Sequence, residues 1–146
     1  MKDSHLLVLL RKIIQFKKLI FAERQIDLSF ELGKTQRGVL MYIAFNGPVP
    51  MKDVSEKFAL EKGSFTQVAD GLEALELIER KRSDTDRRII NLETTEKGKE
   101  VAEEIHKATE KQIESLLQKL TTEQKENFIK CLSELAEYID IIRGEK

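Results

Sequence analysis

The 146-residue chain has a single cysteine, Cys131, no tryptophan and only two prolines. One cysteine excludes an intramolecular disulfide and a multi-cysteine zinc site. No apolar run approaches the roughly 20 residues needed to span a bilayer, so no membrane association is expected. The opening MKDSHLLVLLRK ends its apolar run at Arg11 and Lys12, and no small-residue cleavage site follows. That excludes a convincing secretory signal, and cytoplasmic residence is the expectation. Also missing are a nucleophile–base pair, a glycine-rich phosphate loop and a cluster of metal ligands. His5, His106 and Cys131 have no ligand-like local spacing. Asp84 and Asp86 are too close together and too hydrated for a catalytic carboxylate pair. Nothing supports an enzyme, a cofactor or a metal site.

Excess charge of either sign is lacking too, because the net charge is −1. Residues 1–50 carry 8 basic and 4 acidic side chains, 51–94 carry 8 and 10, and 95–146 carry 9 and 12. No segment is basic as a whole. Five of the eight basic residues of 51–94 nevertheless fall between Arg80 and Arg88, a local cluster of the kind a phosphate-contacting tip needs.

The segment holding that cluster is the most informative in the chain. In LIERKRSDTDRRIINLETTEKG, Leu77 to Gly98, two short apolar β-prone runs (Leu77-Ile78 and Ile89 to Leu92) flank a hydrophilic tip. This predicts a β-hairpin with a charged, projecting loop. Ahead of it, Met51 to Phe58 reads as a short amphipathic helix with Val54 and Phe58 inward. A second helix runs from near Glu61 to Leu75 on the apolar stripe Phe65, Val68, Ala69, Leu72 and Leu75. The opposite face offers Gly63, Gln67, Asp70 and Ala74, with Ser64, Thr66 and Gly71 on the flanks. Small and amide side chains there would let the helix backbone approach another surface, and glutamine can make paired hydrogen bonds to an adenine edge. Two helices followed by a basic hairpin are the parts of a winged helix-turn-helix. One helix can enter a DNA major groove while the hairpin tip reaches a neighbouring minor groove.

Around this unit the pattern is helical. Ser4 to about Ser29 reads as a long first helix, with Leu6, Leu9, Leu10, Ile13, Phe16 and Ile20 at helical spacing and Leu7, Ile14 and Phe21 widening the stripe. A helix apolar over most of its girth needs burial on more than one side. Thr35 starts a second helix with Val39, Leu40 and Ile43 inward, ending at the turn signal Asn46-Gly47-Pro48. A long helix spans Thr95 to about Lys119. Thr121-Thr122-Glu123-Gln124 matches a capping box opening a last helix, on which Phe128, Leu132, Leu135, Ile139 and Ile142 step by 4 and 3. Cys131 on the apolar side of this helix reads as a packed, inert thiol.

The region GKTQRGVLMYIAFNGPVPMKDVSEKFALEKGSFTQVADGLEALELIERKRSDTDRRIINLETTEKG resembles the MarR (multiple antibiotic resistance regulator) family of transcription factors. Its most specific part is Asp86-Arg87-Arg88, followed nine positions after Asp86 by Thr95-Glu96-Lys97-Gly98. The fold class expected is mainly α with a small β-hairpin wing: a winged helix-turn-helix at 34–99, with helical dimerisation regions at 1–33 and 100–146, all in one domain. The resemblance implies that Arg88 inserts into the minor groove and that Asp86 helps to hold the loop. It further implies a homodimer joined through the first and last helices, binding double-stranded DNA at inverted-repeat operators and released by a small-molecule effector. The candidate DNA contacts are Lys62, Ser64, Thr66 and Gln67 on the helix and Arg82, Asp86, Arg87 and Arg88 on the wing. Phe16, Ile20 and Met41 are the candidate effector contacts. The chain departs from the family in its recognition helix, where relatives often carry basic residues. Here Lys62 stands against Glu61, Asp70, Glu73 and Glu76, which keeps an alternative alive: a winged-helix protein-interaction module with weakened or lost DNA binding.

Overall fold

The computed structural model describes residues 4–21 and 30–144. Among them the order is α1 (His5–Ile20), α2 (Lys34–Asn46), β1 (Val49–Pro50), α3 (Met51–Lys57), α4 (Lys62–Ala74), β2 (Ile78–Arg82), β3 (Ile90–Thr94), α5 (Glu96–Leu117) and α6 (Thr122–Arg143). The expected elements are present, with ends within a few residues of those the periodicity predicts. The continuation of the first helix toward Ser29 lies outside the described residues. Strand β1 is an addition. At two residues it is too short to leave a period in the sequence, yet Val49 pairs with Leu92 and Pro50 with Asn91. The antiparallel sheet therefore has three strands, ordered β1-β3-β2.

The chain divides into two compact units, residues 1–108 and 109–146, with the boundary inside α5. In the first unit Val39, Leu40 and Ile43 of α2, Val54 of α3, Phe65, Ala69 and Leu72 of α4, Leu77, Ile78 and Leu92 of the wing base, and Val101 and Ile105 of α5 form one core. The fully hidden members, such as Leu40, Ile43, Leu72 and Leu77, each contribute about 1.5–3 kcal/mol by leaving water. The predicted stripes of α2 and α4 thus face this core, and they fix α4 against α2. Helix α1 is capped by Ser4, whose hydroxyl accepts from the Leu7 amide at 3.4 Å, but none of its residues is buried.

In the second unit the capping box forms as expected. The Thr121 hydroxyl accepts from the Gln124 amide at 3.2 Å, and the Thr121 amide donates to Gln124 Oε1 at 3.0 Å. Helix α6 buries none of its residues, and Leu132, Ile139 and Ile142 of its 4–3 stripe stay exposed, Ile142 at 83%. Cys131 is exposed rather than packed, because the apolar side of α6 on which it was expected to hide is itself uncovered in a single chain.

Candidate nucleic-acid interface

Helix α4 presents its polar side outward as its sequence requires. Lys62, Gly63, Ser64, Gln67, Asp70 and Ala74 are all exposed, while Phe65, Ala69 and Leu72 anchor the other side. A bare patch surrounds Gly63, where an added Cβ would meet nothing within 4 Å. Thr66 is half-buried, and its hydroxyl donates to the Lys62 carbonyl at 2.8 Å, one turn back. Of the four helix candidates, Lys62, Ser64 and Gln67 offer free-standing groups, whereas Thr66 already spends its proton within the helix. Gly71 serves a purpose other than approach to an outside surface. A Cβ there would stand 2.5 Å from Nε2 of Gln36, the side chain whose Oε1 accepts from the Gly33 amide at 3.0 Å. Gly71 makes room for the start of α2.

The wing is an antiparallel pair in which Arg80 lies opposite Leu92 and Lys81 opposite Asn91. Alternation along β2 sends Ile78, Arg80 and Arg82 to one face and Glu79 and Lys81 to the other. On the outer face Glu79 and Glu93 are directly paired, a repulsive arrangement for like charges. Lys81 resolves it, with Nζ 2.9 Å from Glu79 and 2.8 Å from Glu93. Hydrogen bonds donated first to Glu93 and then to Glu79 push this lysine well above the usual lysine range. On the inner face Arg80 reaches α4, where one guanidinium nitrogen lies 2.6 Å from Asp70 Oδ1 and another bonds Glu73 Oε2. Two of the five cations expected at the tip therefore have their charge engaged inside the protein. The sequence counts them as tip residues, but the strand register places them on the wing's shaft.

Arg82, Arg87 and Arg88 remain. All three are exposed, and among the described residues their guanidinium groups enter no ion pair. The loop carrying the last two is built by its own polar atoms. The Ser83 hydroxyl lies 3.0 Å from the Thr85 hydroxyl, Ser83 donates its amide to the Ile89 carbonyl at 2.9 Å, and Oδ1 of Asp86 accepts the Arg88 amide at 2.9 Å. Asp86 thus closes an Asx turn that sets the backbone direction at Arg88.

Helix α4 is tied to α5 by the Thr95-Glu96-Lys97-Gly98 run. Past its last turn the chain passes through Glu76 at φ 59, a left-handed conformation unusual for a side-chain-bearing residue. Thr95 holds that turn, donating its amide to the Leu77 carbonyl at 3.1 Å and its hydroxyl to the Glu76 carbonyl at 2.6 Å, while its hydroxyl accepts the Gly98 amide at 2.9 Å. Lys97 Nζ donates to the Leu75 carbonyl at 2.8 Å and lies 3.9 Å from Glu76. Three of the four carboxylates of α4 and its flanks are therefore met by cations from elsewhere: Asp70 and Glu73 by Arg80, and Glu76 by Lys97.

Phe16 and Ile20 are half-buried on one face of α1, one turn apart, while Met41 is half-buried on α2 and packs on the core. The tie of Arg80 to α4 is what sequence reasoning missed. The available signal was its even spacing from the core residue Ile78, together with two carboxylates three apart on the preceding helix. Among the described residues, no group of three or more potential metal ligands converges, and no helix is long and apolar enough to cross a membrane.

Comparison with known proteins gives a consistent picture. A model described as MarR family matches residues 30–89. The HTH-type transcriptional regulator MhqR of Bacillus subtilis is 35% identical over 95 residues, which cover 65% of this chain and 66% of that protein. The chain thus spans about two thirds of the length of this curated relative. Among solved structures, the transcriptional regulator Tm0710 from Thermotoga maritima superposes with a TM-score of 0.77 at 25% identity, covering 95% of this chain and 99% of that one. A crystal structure of MarR gives 0.72 at 25% identity, covering 99% and 97%.

Proposed function

The chain belongs to the MarR family of DNA-binding transcriptional regulators, and on that footing we propose that it is a homodimeric, ligand-responsive repressor of inverted-repeat operators, working in the cytoplasm. Residues 34–99 form the DNA-reading unit, and 1–33 with 100–146 form the dimerisation region. The observation that carries the reading is the pairing of an exposed, Gln67-bearing helix with a wing whose Arg82, Arg87 and Arg88 are exposed and, among the described residues, enter no ion pair. Lys62 and Ser64 meet phosphates and Gln67 meets a base edge in the major groove. Thr66 contributes at most its oxygen lone pairs. Arg88, aimed by Asp86, enters the adjacent minor groove with Arg82 and Arg87 on its flanking phosphates.

Dimerisation rests on a second observation. Leu6, Leu9, Leu10 and Ile13 of α1 and Leu132, Ile139 and Ile142 of α6 are exposed in the single chain. Apolar area on this scale marks an interaction surface. A two-fold dimer then sets half-sites about one helical turn apart, roughly 34–36 Å. An effector bound at Phe16, Ile20 and Met41 would release DNA by favouring a dimer whose recognition helices no longer match that spacing.

The protein-contact alternative drew on an acidic recognition helix. Arg80 and Lys97 answer three of its four carboxylates, which weakens the case for that alternative. Selection of bound sequences from a random duplex pool tests the proposal directly. Enrichment of an inverted repeat with half-sites one turn apart is the expected result. A pool that stays unenriched at low salt would refute the reading.

A further inference from the structure

Arg80 sits where a phosphate contact would be expected, on a basic hairpin beside the recognition helix, yet its guanidinium is turned inward. It is engaged with Asp70 at 2.6 Å and with Glu73, and its side chain is only 25% exposed. Asp70 lies one turn beyond Gln67 on the same outward side of α4, and its side chain remains 59% exposed. Unanswered, that carboxylate would face the phosphates flanking whatever base Gln67 reads. Like charges at such range oppose binding and misdirect the helix.

We infer that Arg80 is a positioning residue for DNA recognition rather than a DNA contact. Its paired guanidinium bonds engage both Asp70 and Glu73, offset one of their two negative charges and lock β2 to α4, fixing the distance between Gln67 and the Arg88 tip. The planar fork suits this task because it can bond two carboxylates from adjacent helix positions at once, which an ammonium on a flexible stem does less well. The inference rests on the DNA-binding reading and adds a role for a cation that makes no phosphate contact.

The test is a mutant cycle read on DNA affinity, using a duplex selected from a random pool by the unaltered protein. Arg80→Gln leaves two carboxylates uncompensated and should weaken binding tenfold or more. Arg80→Lys should fall in between. Adding Asp70→Asn and Glu73→Gln to Arg80→Gln should restore most of the affinity. The same two changes with Arg80 intact should bring a smaller gain, since there Arg80 already bonds both acids and offsets one of their two charges. Such coupling within the cycle is the signature of the clamp. The triple variant should also keep the salt slope of the unaltered protein, because the number of phosphates neutralised has not changed. A direct phosphate contact would instead lower that slope by about 0.9 and leave the triple variant unrescued. Either that result or an equal gain from Asp70→Asn and Glu73→Gln in both backgrounds overturns the inference. A role confined to stability would appear as a lowered unfolding midpoint without charge-dependent rescue of affinity, and that also overturns it. If the unaltered protein selects no duplex at all, the DNA-binding reading itself fails, an outcome distinct from these.

Discussion

Gly98→Ala isolates the joint between the recognition helix and α5. A Cβ at Gly98 would overlap the Leu77 carbonyl oxygen and stand 2.9 Å from the Leu77 carbonyl carbon and 3.3 Å from its Cα. Ordinary carbon–carbon contact is about 3.5 Å or more, so backbone must separate from backbone by over half an ångström. The Thr95 amide already reaches that carbonyl at 3.1 Å, near the long end of a good hydrogen bond. Separation breaks it and loosens the 2.6 Å bond from the Thr95 hydroxyl to Glu76. Two bonds at about 1 kcal/mol each, plus about 1–3 kcal/mol for a buried carbonyl left unpaired, are lost. The better helix propensity of alanine returns about 1 kcal/mol. The net loss is about 2–4 kcal/mol, a large share of the roughly 5–15 kcal/mol that keeps a domain folded. Urea unfolding followed by circular dichroism, at fixed protein concentration because a dimer's stability depends on it, should show the midpoint falling by about 1 M or more. Gly63→Ala is the matched control, since an added Cβ there meets nothing within 4 Å and stability should hold or rise by up to about 1 kcal/mol. If Gly98→Ala proves as stable as Gly63→Ala, the close approach of α5 to Leu77 is wrong.

The remaining predictions address the interface. Arg88→Ala should weaken operator binding by about 1–3 kcal/mol, with similar losses across major-groove sequence variants, because the minor groove carries little base information. Titrations on a panel of operator variants check this, and unchanged affinity in a folded dimer would remove the wing from the mechanism. Gln67→Ala should instead flatten preference at one or two base pairs while sparing non-specific binding, and an undiminished preference would take Gln67 out of base readout. Replacing Leu135 and Ile139 together by aspartate should dissociate or unfold the protein in sedimentation. A folded monomer of the unaltered protein at micromolar concentration would refute the proposed assembly.

What the sequence made legible, and what it hid, follow one physical division. Helices α2, α4 and α5 announce themselves because their buried residues recur at helical spacing, and α6 does so through an apolar stripe and through Thr121 and Gln124, which mark a cap that forms as expected. Lys62, Ser64 and Gln67 could be placed outward for the same reason, since the exposed side of α4 is whatever its core stripe leaves over. Pairing across elements leaves no such period. Strand β1 is two residues long and exists only because Val49 and Pro50 meet β3. Gly71 reads as a bare patch in sequence, yet the space is filled by Gln36 from another helix. Arg80 and Arg82 are equivalent by local composition. They separate only once the register puts Arg80 opposite Leu92, beside Asp70 and Glu73, and leaves Arg82 near the tip. The same step changes the electrostatic argument. Counted along the chain, α4 and its flanks look hostile to DNA, with one lysine against four carboxylates. Counted in space, Arg80 and Lys97 meet three of those carboxylates, while among the described residues Arg82, Arg87 and Arg88 enter no ion pair. Charge that binds phosphate is the charge not already spent inside the protein, and spending is decided by strand register and helix contacts rather than by composition.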